Sequence, residues 1–186
     1  STKSKQNSDF LKYFQKLTND RLQSNGNYGN WNSVLKHLKG FTSTRVLFKN
    51  IDEKFCEGFK NYLVNTALKK NGEKLSTSSI SSYYNKFKTS LKQAVQDKII
   101  IHNPSVNIKT PKIIENIRHY LTLEELQSLY TTECRYPVFK KAFLFSCLTG
   151  LRKGDIIDLK WGQIHYNKEG GKITHHQEKT ESLEYL

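Results

Sequence analysis

"STSSISSYYNKFKTSLKQAVQDK", residues 76–98, decides how this chain folds. At about 100° per residue, Ile80, Tyr84, Phe87, Leu91, Ala94 and Val95 fall within one narrow arc, as on a helix that buries one face. The opposite arc carries Ser78, Ser82, Asn85, Lys86, Thr89, Lys92, Gln93 and Gln96, which are hydrogen-bonding groups and cations with no acid among them. A solvated face ordinarily mixes both signs. A face that meets phosphates and base edges excludes carboxylates, because the nucleic-acid backbone repels them. Two readings stand at this point: a DNA contact through Ser78, Ser82, Asn85, Lys86, Thr89, Lys92 and Gln93, or a Ser/Lys-rich solvent face.

Upstream, three more segments have the same period. "SDFLKYFQKLTNDRL" sets Phe10, Phe14 and Leu17 on one stripe, with Ser8 or Asp9 as its cap. "NWNSVLKHLKGF" repeats the pattern with Trp31, Val34, Leu35 and Leu38, and Gly40 is expected to stop it. "IDEKFCEGFKNYLVNTALKK" places Phe55, Phe59, Tyr62 and Leu63 inward behind a capping Asp52, and Asn71-Gly72 marks a turn before the next helix.

Charge gives the first functional clue. The 186 residues carry a net charge of +13, unevenly spread. Residues 1–116 hold 20 Lys and Arg against 8 Asp and Glu, leaving +12, while residues 117–186 hold 10 against 9, leaving +1. A basic half joined to a balanced half points to a polyanion-binding module attached to something else. With 36% hydrophobic residues, ten Phe and ten Tyr, the chain can build a core. Its apolar runs fall far short of a membrane span, and the polar opening "STKSKQNSDF" has no signal-peptide pattern. Cys56, Cys134 and Cys147 are too few and too widely spaced for a disulfide framework or a zinc site, and this points to an intracellular protein. The absence of Met, position 1 included, points to a piece excised from a longer protein.

After "DKIIIHNPSVNIKTPK" the character changes. Pro104 and Pro111 interrupt helix formation, so residues 103–118 read as a linker between a helical domain over 1–110 and a second domain over 117–186. "YLTLEELQSLY" restarts a helix behind a Thr122/Glu125 capping box, with Leu123, Leu126 and Leu129 expected to face inward. "YPVFKKAFLFSCLTG" reads as a largely buried helix with Pro137 in its first turn and Gly150 as its stop. Beyond Trp161 the helical period ends, and a Gly170-Gly171 turn between β-like runs predicts a hairpin with part of a third strand.

The junction of these patterns, "CLTGLRKGDIIDLKW" (residues 147–161), places a lone guanidinium, Arg152, between two apolar segments and three residues before Asp155. The planar fork of an Arg matches two phosphate oxygens, and Asp155 lies about one helical turn away, where it could orient that fork. By geometry alone an Arg152–Asp155 structural ion pair is an equal reading.

"LTGLRKGDIIDLKW" resembles the first-arginine motif of the tyrosine recombinases, the phage-integrase family. That motif runs Thr-Gly-Leu-Arg, an acid three residues after the Arg, and an apolar helix ending in Trp. "QAVQDKIIIHNPSVNIKTPK", "LTLEEL" and "QEKTES" resemble the end of that family's core-binding domain, the entry to its catalytic domain and its β-hairpin lysine motif. The resemblance covers nearly all of residues 8–186 and looks closest to integrases of bacterial mobile elements. It implies a mainly α fold: a SAM-like four-helix core-binding bundle, then the truncated α+β start of a catalytic domain. It further implies that Arg152 grips the scissile phosphate, that Asp155 supports the site, and that Lys179 is the general acid for the departing 5′ oxygen. Cations supply both charge stabilisation and a proton, so no cofactor and no metal is called for. The implied partner is double-stranded DNA and not a membrane. The parent would act as a tetramer on DNA and this piece alone as a monomer, in a bacterial cytoplasm.

The sequence also departs from the family pattern. The later His-x-x-Arg box and the tyrosine nucleophile are not in these residues. His176-Gln177-Glu178-Lys179 sits in the expected hairpin and is read as coincidence, and the His175-His176 doublet lacks further ligand candidates. Tyr185 is expected to be a strand residue and not the nucleophile. The chain by itself is therefore expected not to cut DNA. The alternative is a non-catalytic DNA-binding regulator or directionality factor built on a similar helical bundle.

Overall fold

The computed structural model describes residues 6–42, 45–114, 117, 119–167, 170–176 and 183–185. The chain divides into two compact units, residues 1–116 and 117–186.

The first unit is built on helices α1 (Phe10–Asn19), α2 (Asn25–Thr42), α3 (Glu53–Asn65) and α4 (Thr77–Gln96), with a short 3-10 turn at Phe48–Asn50. Side chains that accept otherwise orphaned amides set the starts of α1, α3 and α4. Asp9 Oδ1 accepts from the Leu11 and Lys12 amides at 2.9 and 3.4 Å, Asp52 from Phe55 at 2.7 Å, and Ser76 from Ser79 at 3.2 Å. An antiparallel bridge, with the Phe10 amide donating to the Val46 carbonyl at 2.8 Å, ties the chain before α3 to the start of α1.

The apolar arc of α4 is the centre of this unit. Ile80, Tyr84, Phe87, Leu91 and Ala94 are buried. Phe87 meets Phe10 of α1 edge-on at 5.9 Å and Phe59 of α3 at 5.0 Å, and Phe14 lies 5.0 Å from Trp31 of α2. The Tyr84 hydroxyl donates to the Cys56 carbonyl at 3.2 Å. Each fully buried Phe or Leu stabilises by about 1.5–3 kcal/mol, and truncating Phe87 to Ala would cost about 3–5 kcal/mol. Gly40 does not stop α2, which continues to Thr42. A Cβ on Gly40 would sit 2.8 Å from the Tyr62 hydroxyl of α3, so this glycine marks a close approach of helices and not a helix end. Gly72, at φ +82°, supplies the expected turn before α4.

The second unit runs α5 (Leu123–Thr131), α6 (Pro137–Thr149), α7 (Lys153–Asp158), a 3-10 turn at Trp161–Gln163, and strands β1 (Ile164–Asn167), β2 (Gly170–His176) and β3 (Leu183–Tyr185). The sheet is antiparallel in the order β1-β2-β3, with Ile164 opposite Ile173 and Thr174 opposite Tyr185. The capping box forms: the Thr122 amide donates to Glu125 at 2.8 Å and the Glu125 amide to Thr122 Oγ1 at 3.3 Å. Lys140 of α6 closes the other end of α5 by donating to the Tyr130 and Thr132 carbonyls at 2.9 and 2.8 Å.

Two expectations for this unit hold only in part or fail. Leu126 and Leu129 of α5 are half-buried. Leu123 is 62% exposed, and α6 has no buried residue, with Phe139 72% and Leu148 75% exposed. A helix apolar on every side belongs inside a layered domain. Among the described residues of this unit, α6 packs on α5 and α7.

Candidate nucleic-acid interface and active-site arginine

The polar arc of α4 is outward-facing, and its members differ. Ser78, Asn85, Thr89, Lys92 and Gln96 are exposed, whereas Ser82, Lys86 and Gln93 are half-buried. Lys86 Nζ lies 3.3 Å from Ser82 Oγ, and burial pulls the pKa of its ammonium down. Gln93 Nε2 donates to Asp97 Oδ1 at 2.9 Å, and Asn85 Oδ1 accepts from Thr110 Oγ1 at 2.8 Å. Lys92 thus projects directly, the exposed Thr89 donates its hydroxyl back to the Asn85 carbonyl at 2.8 Å, and Lys86 reaches solvent over a buried stem.

Sequence reasoning missed the helix beside this face. The residues of α2, "NGNYGNWNSVLKHLKGFT", are also free of acids, with Lys36 and Lys39 exposed. His37 joins the two helices: its ring lies 5.5 Å from Tyr83 of α4 and 6.4 Å from Tyr62 of α3, and burial lowers its pKa. The signal was present in composition, since α1 is flanked by Asp9 and Asp20 and α3 carries Glu53 and Glu57. Both of these packed helices are therefore free of acids on their exposed sides.

Arg152 occupies a turn whose every bend has a local cause. Helix α6 ends at Gly150, whose φ of +72° is the left-handed conformation that favours glycine, and whose amide donates to the Ser146 carbonyl at 2.8 Å. Ser146 Oγ donates to the Leu151 carbonyl at 2.7 Å and the Leu151 amide donates to Thr149 Oγ1 at 3.3 Å, while the Leu151 side chain is buried. Arg152 is then the N-cap residue of α7 and is exposed. Asp155 is buried, and its Oδ2 accepts from the Arg152 backbone amide at 3.2 Å. This carboxylate thus holds the arginine's backbone in place. A negative side chain in the first turn also suits the helix dipole. Sequence reading did not find the parts played by Ser146 and Thr149, because hydroxyls near a helix end have too many possible partners to single out.

Lys179 and the Gln177–Lys179 part of the His-x-x-Lys run lie outside the described residues. His175 and His176 are in β2, and Tyr185 is in β3 as the period-2 pattern predicts. Cys56, Cys134 and Cys147 are free thiols. Among the described residues no helix is long and apolar enough to cross a membrane.

Residues 9–110 match the phage integrase SAM-like domain family. The match spans more than half the chain, and the chain belongs to the phage integrases, the tyrosine recombinase family. Three solved structures of phage lambda integrase share its fold. A tetramer bound to a Holliday junction aligns at TM-score 0.73 and 20% identity over 95% of this chain and 49% of that one. A dimer bound to a COC′ core site aligns at TM-score 0.72 and 18% identity over 98% and 49%. A shorter lambda integrase dimer on the same core site aligns at TM-score 0.73 and 19% identity over 95% and 60%. The chain thus spans about half to three-fifths of the length of the integrases it matches. No curated protein sequence matches it.

Proposed function

We propose that residues 1–110 are the DNA-binding domain, and residues 117–186 the arginine-bearing start of the catalytic domain, of a site-specific recombinase. That enzyme would cut and rejoin duplex DNA through a 3′-phosphotyrosyl intermediate. The observation that carries the reading is the exposed Arg152, held at the start of α7 by the left-handed Gly150 and the buried Asp155. The acid-free α2 and α4 faces and the lambda integrase complexes with DNA support it.

In this assignment Arg152 binds the non-bridging oxygens of the scissile phosphate and offsets charge that builds in the transition state. Asp155 acts through the backbone that presents Arg152. Lys179 donates a proton to the departing 5′ oxygen. The second arginine and the tyrosine nucleophile would come from the remainder of the catalytic domain, and the recombining species would be a tetramer on DNA.

The test uses the longer protein that carries this chain with its His-x-x-Arg box and tyrosine. Arg152→Ala should abolish the covalent adduct formed on a nicked suicide substrate. Thermal stability should stay within roughly ±0.5 kcal/mol, as for exposed positions. Full DNA affinity with no adduct even from the unsubstituted protein would make it a non-catalytic DNA binder, and an adduct undiminished by Arg152→Ala would overturn the role given to Arg152.

A further inference from the structure

The first unit does not end with α4. Asn103 Oδ1 accepts from the Ser105 amide at 2.9 Å and from Ser105 Oγ at 2.8 Å, Ser105 and Ile108 are buried, and the chain then doubles back along α4. Three contacts fasten it. Lys88 Nζ donates to the Ile108 carbonyl at 2.7 Å, Thr110 Oγ1 donates to Asn85 Oδ1 at 2.8 Å, and the Ile114 amide donates to Thr77 Oγ1 at 3.2 Å. As the strap rises from 108 to 114, its partners on α4 descend from 88 to 77, so the two run antiparallel. The segment expected to be a linker is thus laid against α4 as far as Ile114.

The strap's position on the helix matters for function. At about 100° per residue, Thr77, Lys88 and Asn85 lie on one flank of the polar arc, and Tyr83, which meets His37 of α2, lies on the other. The arc is therefore walled by α2 on one side and by the strap on the other. Residues 103–114 hold no acid, and Lys109 and Lys112 are exposed beside the fastening contacts.

We propose that this strap is part of the DNA-binding surface: Asn85, Thr110 and Thr77 hold it along α4 so that Lys109 and Lys112 meet backbone phosphates next to the one met by Lys92. Asn85 is then a positioning residue whose amide oxygen serves the strap, and not a reader of bases. The inference rests on the DNA-binding reading of α4.

Charge and tether can be separated in the 186-residue chain by measuring duplex affinity against salt. Replacing Lys109 and Lys112 together by Gln should lower the slope of log K against log salt by about 1.8, since each phosphate contact contributes about 0.9. Thr77→Ala combined with Thr110→Val changes no charge, yet should lower the slope by about 1 or more because the two lysines are no longer held over the phosphates. Combining all four changes should lower it no further than the lysine pair alone. Circular dichroism melts confirm that each variant keeps its fold, and the exposed lysine pair serves as the variant least able to disturb it. A wild-type slope in the tether variant, or in the lysine pair, overturns the strap's role while leaving α4 as the interface. A wild-type chain whose duplex affinity does not depend on salt overturns both.

Discussion

Lys92→Ala is the substitution for which the structure gives the clearest expected magnitude. The side chain is exposed on α4, so truncation leaves no cavity and should change stability by less than about 0.5 kcal/mol. If its ammonium neutralises one phosphate, its removal lowers the salt slope by about 0.9. Relative to a reference near 1 M salt, where such contacts contribute nothing, this is roughly eightfold in affinity at about 0.1 M and roughly fourfold at about 0.2 M. Lys86→Ala should behave differently, because its stem is half-buried and its loss should also cost about 1 kcal/mol of packing. Lys60 lies on the acid-bearing α3 and is already paired with Glu57, so Lys60→Ala should leave the slope unchanged. The assay is fluorescence anisotropy with a labelled duplex, titrated at several salt concentrations. A full wild-type slope in Lys92→Ala together with a reduced slope in Lys60→Ala would refute the assignment of α4.

Two further expectations concern the first unit and are read by thermal melts of the chain. Asp9→Ala removes the side-chain cap of α1 and should cost about 1 kcal/mol. Arg45→Ala should cost less than about 0.5 kcal/mol, because its ion pair to Asp9 spans 3.7 Å and the Arg45 side chain is 65% exposed. Equal losses would show that the ion pair, and not the cap, matters. Burial holds the pKa of His37 below its ordinary 6.5, so on acidification the unfolded chain takes up the proton first. This contribution to stability is present above about pH 6.5 and is lost as pH falls from there toward the folded-state pKa. His37→Gln should therefore lose less Tm than the wild type between about pH 7 and pH 5, whereas parallel curves would contradict the burial argument.

What could be read in the sequence divides along physical lines. Helices α1, α3 and α4 were legible because one apolar stripe meets one core, and Asp9 and Asp52 announce their helix starts chemically. Gly40 misled because a glycine that ends a helix and one that admits a neighbouring tyrosine look alike until Tyr62 is in place. The strap was invisible because Asn103, Pro104 and Pro111 signal only that a helix has ended. Where the chain goes next depends on burying Ile108 and reaching Asn85, which are long-range matters. In the second unit, the sequence of α6 reads as buried because all its sides are apolar, yet Phe139 and Leu148 face outward among the described residues. For the candidate site, Arg152 and Asp155 were found together by spacing. That the carboxylate caps the arginine's own backbone became evident only with the left-handed turn at Gly150.

The most direct test places a photo-crosslinking residue at Thr89, exposed at the middle of α4, and separately at Lys70, exposed in the turn before it. Each protein is irradiated with a labelled duplex at low salt. The account predicts a protein–DNA adduct from position 89 that is competed away by unlabelled duplex, and none from position 70. An adduct from position 70 without one from position 89 would contradict it.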